Sequence, residues 1–459
     1  MKTEMSDELT FFWEIVPGNC CNLRCKNCYA AANARPDKRM LGLKSIRTAI
    51  DKAISVGMKK IDVLGGEPLL YPHLEEFISY FFSKRPDGFC GVVSNGTLIT
   101  KERAKSLAKS GVSQISISLD GTDAATHDKN RGKGSFLQSL NGIKNVTDAG
   151  IPLTIAYTVT QFNLSDFSNI FPLAEKLGAQ AVGIQVTEPF GRARNSLEKQ
   201  NELNRIEGLK TICQMYRVRS PIYTQVSSRS VFQEFLNKFL NAGLPILPKQ
   251  CDGGLKTYMV SSGGDLYPCP EYAYSHKGEK IRRGVNLVND SLKDIKKKIS
   301  QCYNDFSREQ RLAAIKKFTT CKDCKHNDSC APCAIINSSG RVPECEWVKN
   351  ESKKLFERIL NSKIKLLINP DQEGEKIEFS VPTQEEVIIV PLEEKVFMDL
   401  VSSESVAQVI ENYMNGNESR RERVANKIIE FLCKLRSHQI IEIDGFSRFL
   451  KTDLAPNNH

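Results

Sequence analysis

Cysteines are the feature that most restricts what this chain can form: 15 of its 459 residues are cysteine, and most fall in two groups. The first group is Cys20, Cys21, Cys25 and Cys28, and the second is Cys251, Cys269, Cys321, Cys324, Cys330, Cys333 and Cys345. No secretion signal precedes them, so we expect a cytoplasmic protein, and disulfides rarely persist in that compartment. Clustered cysteines there indicate metal ligands, and a chain of this length buries a sizeable core without bridges.

The remaining cysteines are scattered. Cys90, Cys213 and Cys433 are predicted to be small buried hydrophobic residues, which is the usual state of an isolated cysteine. The net charge of +10 is moderate and indicates no particular class of partner. No run of about 18 apolar residues occurs, so we expect no membrane-spanning helix.

Residues 11–190 alternate short runs rich in Val, Ile and Phe with amphipathic stretches. The runs predict strands at Phe11–Val16, Ile61–Leu64, Phe89–Ser94, Gln114–Leu119, Leu153–Thr160 and Ala181–Val186. The stretches predict helices such as Lys44–Val56, Lys101–Ser110 and Phe136–Ala149, each of which ends near a glycine. Such βαβ units form a parallel sheet, so we expect an α/β fold with a partial (β/α)6 TIM-like barrel. In barrels of this kind the loops after the strands carry the chemistry.

The rest of the chain divides by composition. We predict a barrel core at residues 1–195, a mainly helical bridge at 196–250, and an irregular Cys-rich extension at 251–360 that is held by metal. The pattern of strand-like and helical runs in residues 361–459 predicts a small winged-helix-like α+β domain. Its strands are predicted at Lys365–Asn369, Lys376–Val381, Glu386–Val390 and Ile440–Ile443, and its helices at Glu394–Val401, Ser405–Tyr413 and Arg420–Arg436.

The first cysteine group has the spacing C-x3-C-x2-C and directly follows the first predicted strand. The thiolates of Cys21, Cys25 and Cys28 can hold three irons of a [4Fe–4S] cluster and leave the fourth iron open. Cys20 is then a bystander. A zinc site is the alternative, but it needs a fourth ligand nearby, and the first histidine of the chain is His73.

With Tyr29 after it, this motif resembles the signature of radical S-adenosylmethionine (SAM) enzymes. The resemblance implies that the open iron chelates SAM and that one electron cleaves SAM to a 5′-deoxyadenosyl radical. Further segments similar to that family follow in order at successive strand ends. The resemblance implies SAM contacts at Tyr29, Gly65, Gly66, Glu67, Ser94, Asn95, Ser118, Asp120, Arg131, Ile184 and Gln185. Within them Glu67 would meet the SAM ammonium and Arg131 the SAM carboxylate. We interpret the neighbouring His127 and Asp128 as structural residues of a surface loop.

The second cysteine group resembles the SPASM (twitch-type) extension of some radical SAM enzymes, with one residue fewer before Cys333. The resemblance implies two auxiliary [4Fe–4S] clusters and therefore three clusters in all. One would bind Cys321, Cys324, Cys330 and Cys345, and the other Cys251, Cys269 and Cys333. Cys302 and Glu271 are candidates for the missing fourth ligand. Zinc ribbons are the alternative, but zinc carries no electrons.

Residues from about 364 onward resemble the PqqD-like domain that binds leader peptides of ribosomally made, modified peptides. From Lys363 to the end there are 12 Lys and Arg against 17 Asp and Glu, a net charge of −5, which argues against nucleic acid. A leader strand would instead add to a sheet edge.

Together these features predict a radical SAM peptide maturase that forms a C–C, C–S or C–O cross-link in a precursor peptide. Sulfatase-maturating relatives carry an aspartate directly after the second SPASM cysteine and use it as a base. Here Cys269 is followed by Pro270, which cannot take a proton, so Glu271, one position further on, is the candidate base. A flavodoxin or ferredoxin would donate electrons. The alternatives are a SPASM enzyme acting on a small molecule such as a tetrapyrrole, a peptide epimerase, and a non-catalytic Fe–S regulator.

Overall fold

The structure, a computed structural model of the chain, describes part of it in detail. The described residues are 9–16, 20–33, 41–160, 162–186, 191–195, 223–226, 238, 253–275, 284–299, 306, 313, 343–361, 364–366, 371–372, 377–380, 387–389, 400, 403, 405–414, 425–429, 431–433 and 441–443. The chain divides into two compact units. The first comprises Met1–Thr211, Ser220–Arg229 and Pro248–Val342, and the second Ile212–Arg219, Ser230–Leu247 and Pro343–His459.

A single sheet of ten described strands organises the first unit. The strands are β1 (Leu9–Glu14), β2 (Met58–Leu64), β3 (Phe89–Ser94), β4 (Gln114–Ser118), β5 (Leu153–Val159), β6 (Ala181–Val186), β7 (Tyr223–Val226), β8 (Thr257–Val260), β9 (Asp265–Tyr267) and β10 (Val285–Asn286). Their order is β10-β9-β8-β1-β2-β3-β4-β5-β6-β7. Neighbours from β1 to β7 pair in parallel, β8 is parallel to β1, and β9 and β10 are antiparallel additions. The α/β fold with an open, TIM-like barrel is therefore confirmed.

Helices follow most of the parallel strands. They are α1 (Leu43–Ser55), α2 (Leu74–Lys84), α3 (Lys101–Ser110), α4 (Ala124–Arg131), α5 (Ser135–Asp148), α6 (Ile170–Lys176), and, in the Cys-rich region, α7 (Pro270–Ser275) and α8 (Leu292–Lys298). Helix α3 shows why such segments start and stop where they do. The Thr100 hydroxyl accepts a hydrogen bond from the Arg103 amide at its start, and Gly111 ends it in the left-handed region at φ 88°.

Alternating side chains give the strands two different faces. On β4, Ile115 and Ile117 are fully buried, whereas Gln114, Ser116 and Ser118 are half-buried. Burying an isoleucine stabilises the fold by roughly 1.5–3 kcal/mol, so the apolar face fixes the register of the strand. The other face of the strand carries small polar groups and is available for chemistry.

Two features of the sheet differ from the sequence-based expectation. Residues 196–250, predicted as a helical bridge, include β7, a seventh parallel strand beside β6. The Cys-rich extension begins with β8, which pairs directly with β1. Each of these strands contains only one residue of the Val, Ile and Phe set by which the other strands are predicted.

The second unit contains helix α9 (Pro343–Leu360) and helix α10 (Val406–Met414). Its described strands are β11 (Ile364–Leu366), β12 (Asp371–Gln372), β13 (Ile377–Ser380), β14 (Val387–Ile389) and β15 (Ile441–Ile443). β12, β13 and β14 form an antiparallel sheet, and β11 pairs antiparallel with β15. The predicted strands and the second helix of this region lie within a few residues of these elements. Among the described residues, no helix is long and apolar enough to cross a membrane.

Close packing of α5 on the loop after β3 yields a test of the fold. A Cβ on Gly142 of α5 would lie 2.1 Å from the carbonyl oxygen of Gly96. Because that atom is backbone and cannot rotate away, Gly142→Ala should destabilise the protein by about 1–3 kcal/mol, despite the better helix propensity of alanine. The measurement is the midpoint of urea unfolding. The matched change Gly263→Ala, in an exposed turn where the nearest atom is 3.6 Å away, should leave the midpoint unchanged within about 0.5 kcal/mol. Equal midpoints for both variants would contradict the packing argument.

Candidate active site at the carboxyl ends of the strands

The cysteine loop, residues 20–33, follows β1 and is closed on itself. The amide of Cys21 donates to the carbonyl of Asn33 at 2.8 Å, and a β-bridge joins Cys20 to Asn33. The amide of Ala31 donates to the carbonyl of Cys28 at 3.2 Å. Cys21 is buried, while Cys25 and Cys28 are half-buried. The loop therefore presents three predicted ligands from one short, closed segment.

Amide groups point at the cysteine sulfurs. The Leu23 amide donates to Cys21 Sγ at 3.4 Å and the Ala32 amide to Cys28 Sγ at 3.4 Å. The side-chain amide of Asn95 reaches Cys21 Sγ at 3.8 Å. Burial raises the pKa of the Cys21 thiol to about 12, and the charges of Glu67 and the other two cysteines add to this increase. Three thiolates are thus costly here unless positive iron compensates them, and the donor set fits a [4Fe–4S] cluster.

A single metal ion fits this donor set less well. Within the described ranges, no three His, Cys, Asp or Glu side chains surround a position for one ion. Zinc needs its ligands within about 2.0–2.3 Å of a common centre, whereas the cysteines of an iron–sulfur cluster bind separate irons. The arrangement favours the cluster over the zinc alternative.

Glu67, after β2, is fully buried and draws the loop after β3 into the site. Its Oε1 accepts from Ser94 Oγ at 2.8 Å, and its Oε2 accepts from the Asn95 amide at 2.8 Å. Its own amide donates to the Cys20 carbonyl at 2.8 Å. Burial raises the pKa of Glu67, although these hydrogen bonds oppose the increase. A carboxylate has about four acceptor positions, so Glu67 retains capacity for the predicted SAM ammonium.

Asn95 couples the cysteine loop to β3. Its Nδ2 donates to Asn22 Oδ1 at 2.9 Å, and Asn22 Nδ2 donates to Thr97 Oγ1 at 2.8 Å. On the neighbouring strand end, Gly65 has φ 129°, and a Cβ there would lie 3.0 Å from Glu14 Cγ. Position 65 therefore requires glycine for both its backbone and its space. The predicted residues Gly65, Glu67, Ser94 and Asn95 form one contiguous group.

Asp120 and Arg131 form a buried ion pair after β4. Asp120 Oδ2 accepts from Arg131 Nε at 2.6 Å and from Asn130 Nδ2 at 2.8 Å, and its Oδ1 accepts from the Thr158 amide at 3.0 Å. Burial would raise the pKa of Asp120, but the charge and hydrogen bond of Arg131 hold it below the usual value. Arg131 also interacts electrostatically with Cys25 and Cys28. Its terminal nitrogens have no hydrogen-bonding partner in the described part of the chain, which suits the predicted SAM carboxylate.

His127 and Asp128 are expected on a surface loop, but His127 does not lie on one. It is fully buried in α4, and its Nδ1 accepts from the Asp120 amide at 3.1 Å. Burial lowers the pKa of His127 to about 4, so the ring is neutral. Asp128 accepts from the amides of Gly134 and Phe136 and so caps α5. The location was missed because α4 is short and mostly polar, with Asp123 as its N-cap.

The rest of the predicted SAM set is placed as follows. Ser118 is half-buried at the end of β4. Ile184 is buried and Gln185 is exposed, so these neighbours on β6 face opposite sides of the sheet. Gly66 follows Gly65 in the loop after β2. The Tyr29 ring packs edge-on against Tyr274 of α7, with ring centres 4.9 Å apart.

The second cysteine group is only partly described. Cys269 is buried directly before α7, and its Sγ accepts from the Tyr272 amide at 3.3 Å. The candidate base Glu271 lies in the first turn of α7. Cys345 lies in α9, and its side chain is outside the described residues, as are Cys251, Cys302, Cys321, Cys324, Cys330 and Cys333. Cys90 and Cys433 are fully buried, as predicted for isolated cysteines, and Cys213 lies outside the described residues.

Two polar residues of the first unit had no signal in the sequence. Asp62 of β2 faces Gly91 of β3, and its Oδ1 would be 2.3 Å from a Cβ at position 91. Burial raises the pKa of Asp62 to about 6, so it can exchange a proton near neutral pH. Arg192, after β6, donates hydrogen bonds to the cysteine loop. A lone aspartate within a strand and a lone arginine in a turn match no motif. The sheet register reveals the first, and the hydrogen bonds to the cysteine loop reveal the second.

Comparison with known proteins agrees with this geometry. The Radical SAM superfamily matches residues 15–174. An AdoMet-dependent heme synthase of Nitratidesulfovibrio vulgaris is 31% identical over 341 residues, covering 72% of this chain and 88% of that protein. The chain belongs to the radical SAM superfamily. It is accordingly an enzyme that uses SAM and a [4Fe–4S] cluster, and the cysteine loop is the site that suits the cluster.

Two further proteins extend the comparison. The antilisterial bacteriocin subtilosin biosynthesis protein AlbA of Bacillus subtilis is 26% identical over 348 residues, covering 72% of this chain and 69% of that protein. The crystal structure of Streptococcus suis SuiB bound to S-adenosylmethionine superposes with a TM-score of 0.55 at 16% identity, covering 74% of this chain and 77% of that chain. The second similarity shows the fold alone.

The cysteine loop leads to a prediction with a built-in control. Replacing Cys21, Cys25 or Cys28 by alanine should remove the SAM-dependent change in the EPR spectrum of the reduced protein and abolish 5′-deoxyadenosine formation. Each change removes one of three thiolates, whereas Cys20→Ala removes none of them. Cys20→Ala should therefore retain both signals. A Cys20 variant that loses the cluster while a Cys25 variant keeps it would refute the ligand assignment.

The Asp120–Arg131 pair leads to a pH-dependent prediction. Asp120→Asn leaves the buried Arg131 charge uncompensated and should cost about 3–5 kcal/mol of stability at pH 7. Because the folded-state pKa of Asp120 is lowered, its contribution is present above the unfolded pKa of about 3.9 and is lost as pH falls. The stability difference between iron-free wild type and variant, measured from their unfolding midpoints, should therefore stay constant from pH 7 to about pH 4 and shrink by up to about 1 kcal/mol at pH 3. The control Asp123→Asn keeps a side chain that can cap α4, so it should leave the unfolding midpoint nearly unchanged. An Asp120→Asn effect of equal size at pH 7 and pH 3 would contradict the assignment of a lowered pKa to Asp120.

Proposed function

We propose that this radical SAM enzyme is a peptide maturase that cross-links a ribosomally made precursor peptide. The observation that carries the proposal is the second unit, where an antiparallel sheet of β12, β13 and β14 precedes helical segments. This order matches the predicted PqqD-like domain. The alignment with the heme synthase leaves more than a quarter of this chain unmatched, so a module beyond the catalytic core is expected.

The sheet of the second unit offers an edge for a leader peptide. In the described residues, β12 and β14 each pair only with β13. β14 has three residues, all of them β-branched and apolar (Val387, Ile388, Ile389), whereas β12 has only Asp371 and Gln372. An extended leader strand would gain main-chain hydrogen bonds at such an edge, and we assign it to β14.

The Cys-rich region supports auxiliary clusters in the same proposal. A Cβ on Gly253 would lie 3.3 Å from Cys269 Cβ, and Gly253 is two residues from Cys251 along the chain. This proximity supports a shared cluster for Cys251 and Cys269, with Cys333 as the third ligand. Cys321, Cys324, Cys330 and Cys345 would hold the other auxiliary cluster, which gives three [4Fe–4S] clusters in all.

The residues at the strand ends would divide the work. When bound, the first cluster supplies the single electron that cleaves SAM to the 5′-deoxyadenosyl radical. Arg131 would hold the SAM carboxylate and Glu67 the ammonium, so that the radical forms in a fixed place. Forming a cross-link removes a hydrogen atom, a proton and an electron from the peptide. Glu271 is the proposed proton acceptor, the auxiliary clusters would take the electron, and a flavodoxin or ferredoxin in the cytoplasm would supply the first one.

A second candidate is modification of a tetrapyrrole. Its support is the 31% identity to an AdoMet-dependent heme synthase, which exceeds the 26% identity to the bacteriocin protein AlbA. Both relatives align over 72% of this chain, so alignment length does not separate the two candidates. Epimerisation of a peptide would use the same leader-binding edge and differs in the product. A non-catalytic regulator has no support in an enzyme superfamily.

A substrate comparison tests the proposal. The reduced enzyme is given SAM and either the short peptide encoded beside its gene, the same peptide without its leader, or iron coproporphyrin III. We expect 5′-deoxyadenosine and a peptide product lighter by about two hydrogen masses only with the leader-bearing peptide. Epimerisation would leave the mass unchanged.

The leader-binding edge has its own variants. Proline at Ile388 or at Ile389 removes one backbone N–H each, and one of the two N–H groups points away from β13 because pairing alternates along the strand. One proline variant should therefore lose leader affinity by about ten-fold or more while forming 5′-deoxyadenosine at the uncoupled wild-type rate. Turnover of the porphyrin and none of the peptide would overturn the proposal in favour of the second candidate.

A further inference from the structure

Arg192 lies in the short 3-10 turn Gly191–Asn195 that follows β6. It is neither a cysteine ligand nor one of the predicted SAM contacts. The hydrogen bonds that it is seen to donate nevertheless go to the cysteine loop. Arg192 and Cys25, which it contacts, are 167 positions apart in the chain.

Three donors of Arg192 hold three carbonyls of the loop. The backbone amide donates to the Cys28 carbonyl at 2.9 Å. The side-chain Nε donates to the Cys25 carbonyl at 2.7 Å, and Nη1 donates to the Ala32 carbonyl at 2.6 Å. Two of these carbonyls belong to cluster ligands. The third belongs to the residue whose amide donates to Cys28 Sγ.

Gly191 brings the turn into this position. Its φ is 55°, and a Cβ there would lie 2.3 Å from the Tyr29 carbonyl oxygen and 2.4 Å from that of Cys28. Both atoms are backbone, so any larger residue would push the turn and the loop apart. The dipeptide Gly191-Arg192 thus combines the closest approach with the donor group that uses it.

The arginine side chain at position 192 is suited to holding the loop carbonyls, and exposure to solvent does not account for its presence there. A guanidinium carries five donors in a rigid fork, so one side chain can hold carbonyls on both sides of a loop. Its Nη2 is buried and has no hydrogen-bonding partner within the described residues, which is unfavourable for a charged group. The contacts with the loop must offset this cost. A surface arginine retained only for solubility would expose that nitrogen.

We infer that Arg192 is a positioning residue that, together with Gly191, holds the cysteine loop in its metal-binding conformation before iron arrives. A loop that is already ordered does not lose conformational entropy when the cluster binds. The three hydrogen bonds from Arg192 to the loop carbonyls favour this ordered conformation. The inference concerns the cluster site that the superfamily shares, and it does not depend on the substrate.

Limited proteolysis of the iron-free chain tests the inference directly. Arg24 and Lys26 are exposed trypsin sites within the loop. In Arg192→Met, cleavage after these residues should be several-fold faster than in wild type, because the loop opens more often. The midpoint of thermal unfolding, measured in parallel, should stay close to wild type. Cleavage sites and rates are read by mass spectrometry.

Cluster loading gives a second, independent measurement. After reconstitution with iron and sulfide, Arg192→Met should bind less iron per chain, with the deficit approaching one cluster. The SAM-dependent change in the EPR spectrum of the reduced protein should fall in proportion. Arg192→Lys keeps the charge but has no fork, so it should lie between wild type and Arg192→Met in both measurements.

Two further variants complete the design. Gly191→Ala keeps the guanidinium but forces the turn off the loop, so it should reproduce faster cleavage and lower iron content. Arg47→Gln removes an exposed arginine on α1 that stacks over Tyr80, and it should behave like wild type. Wild-type cleavage rates and iron content in Arg192→Met and Gly191→Ala would overturn the inference. If Arg192→Met unfolds, wild-type values in Arg192→Lys and Gly191→Ala would also overturn it.

Discussion

The catalytic end of this protein depends on one constraint: a loop with three cysteines must be held from several strand ends at once. The Glu67 amide, after β2, binds the Cys20 carbonyl at 2.8 Å, and the Asn130 carbonyl, after β4, accepts from the Lys26 amide at 2.8 Å. Arg192 adds the contacts from the end of β6. Parallel strands make this possible because their carboxyl ends lie at the same edge of the sheet. The buried carboxylates Glu67 and Asp120 then fix the loops that provide these contacts.

Sequence reasoning succeeded where chemistry imposes a local pattern. The six predicted strands of the barrel and the three named helices all appear with bounds shifted by at most a few residues, because buried strands and amphipathic helices have clear periods. The C-x3-C-x2-C spacing and the segment Gly65-Gly66-Glu67 were recognisable because residue type and spacing alone define them. It failed for β7, which has one valine and no isoleucine or phenylalanine, and for the location of His127, which bonds to the Asp120 amide and packs on Phe136. Arg192 could not be found because its meaning lies entirely in long-range contacts.

The proposed function assigns substrate choice and radical chemistry to different units of this chain. The parallel sheet and its loops belong to the first unit, whereas the proposed leader-binding edge belongs to the second. The second unit from Pro343 onward is rich in acidic residues, and the remainder carries the basic excess. Relatives with different printed activities each align over 72% of this chain, so the extent of similarity does not by itself identify the substrate.

The separation of 167 residues between Cys25 and Arg192 has a consequence for biosynthesis. A ribosome adds about 5–20 residues per second, so the cysteines precede their arginine by roughly 8–33 seconds. During that interval the contacts from Arg192 that we infer to hold the loop have not yet formed, so the order of the nascent loop depends on segments that are translated long after it.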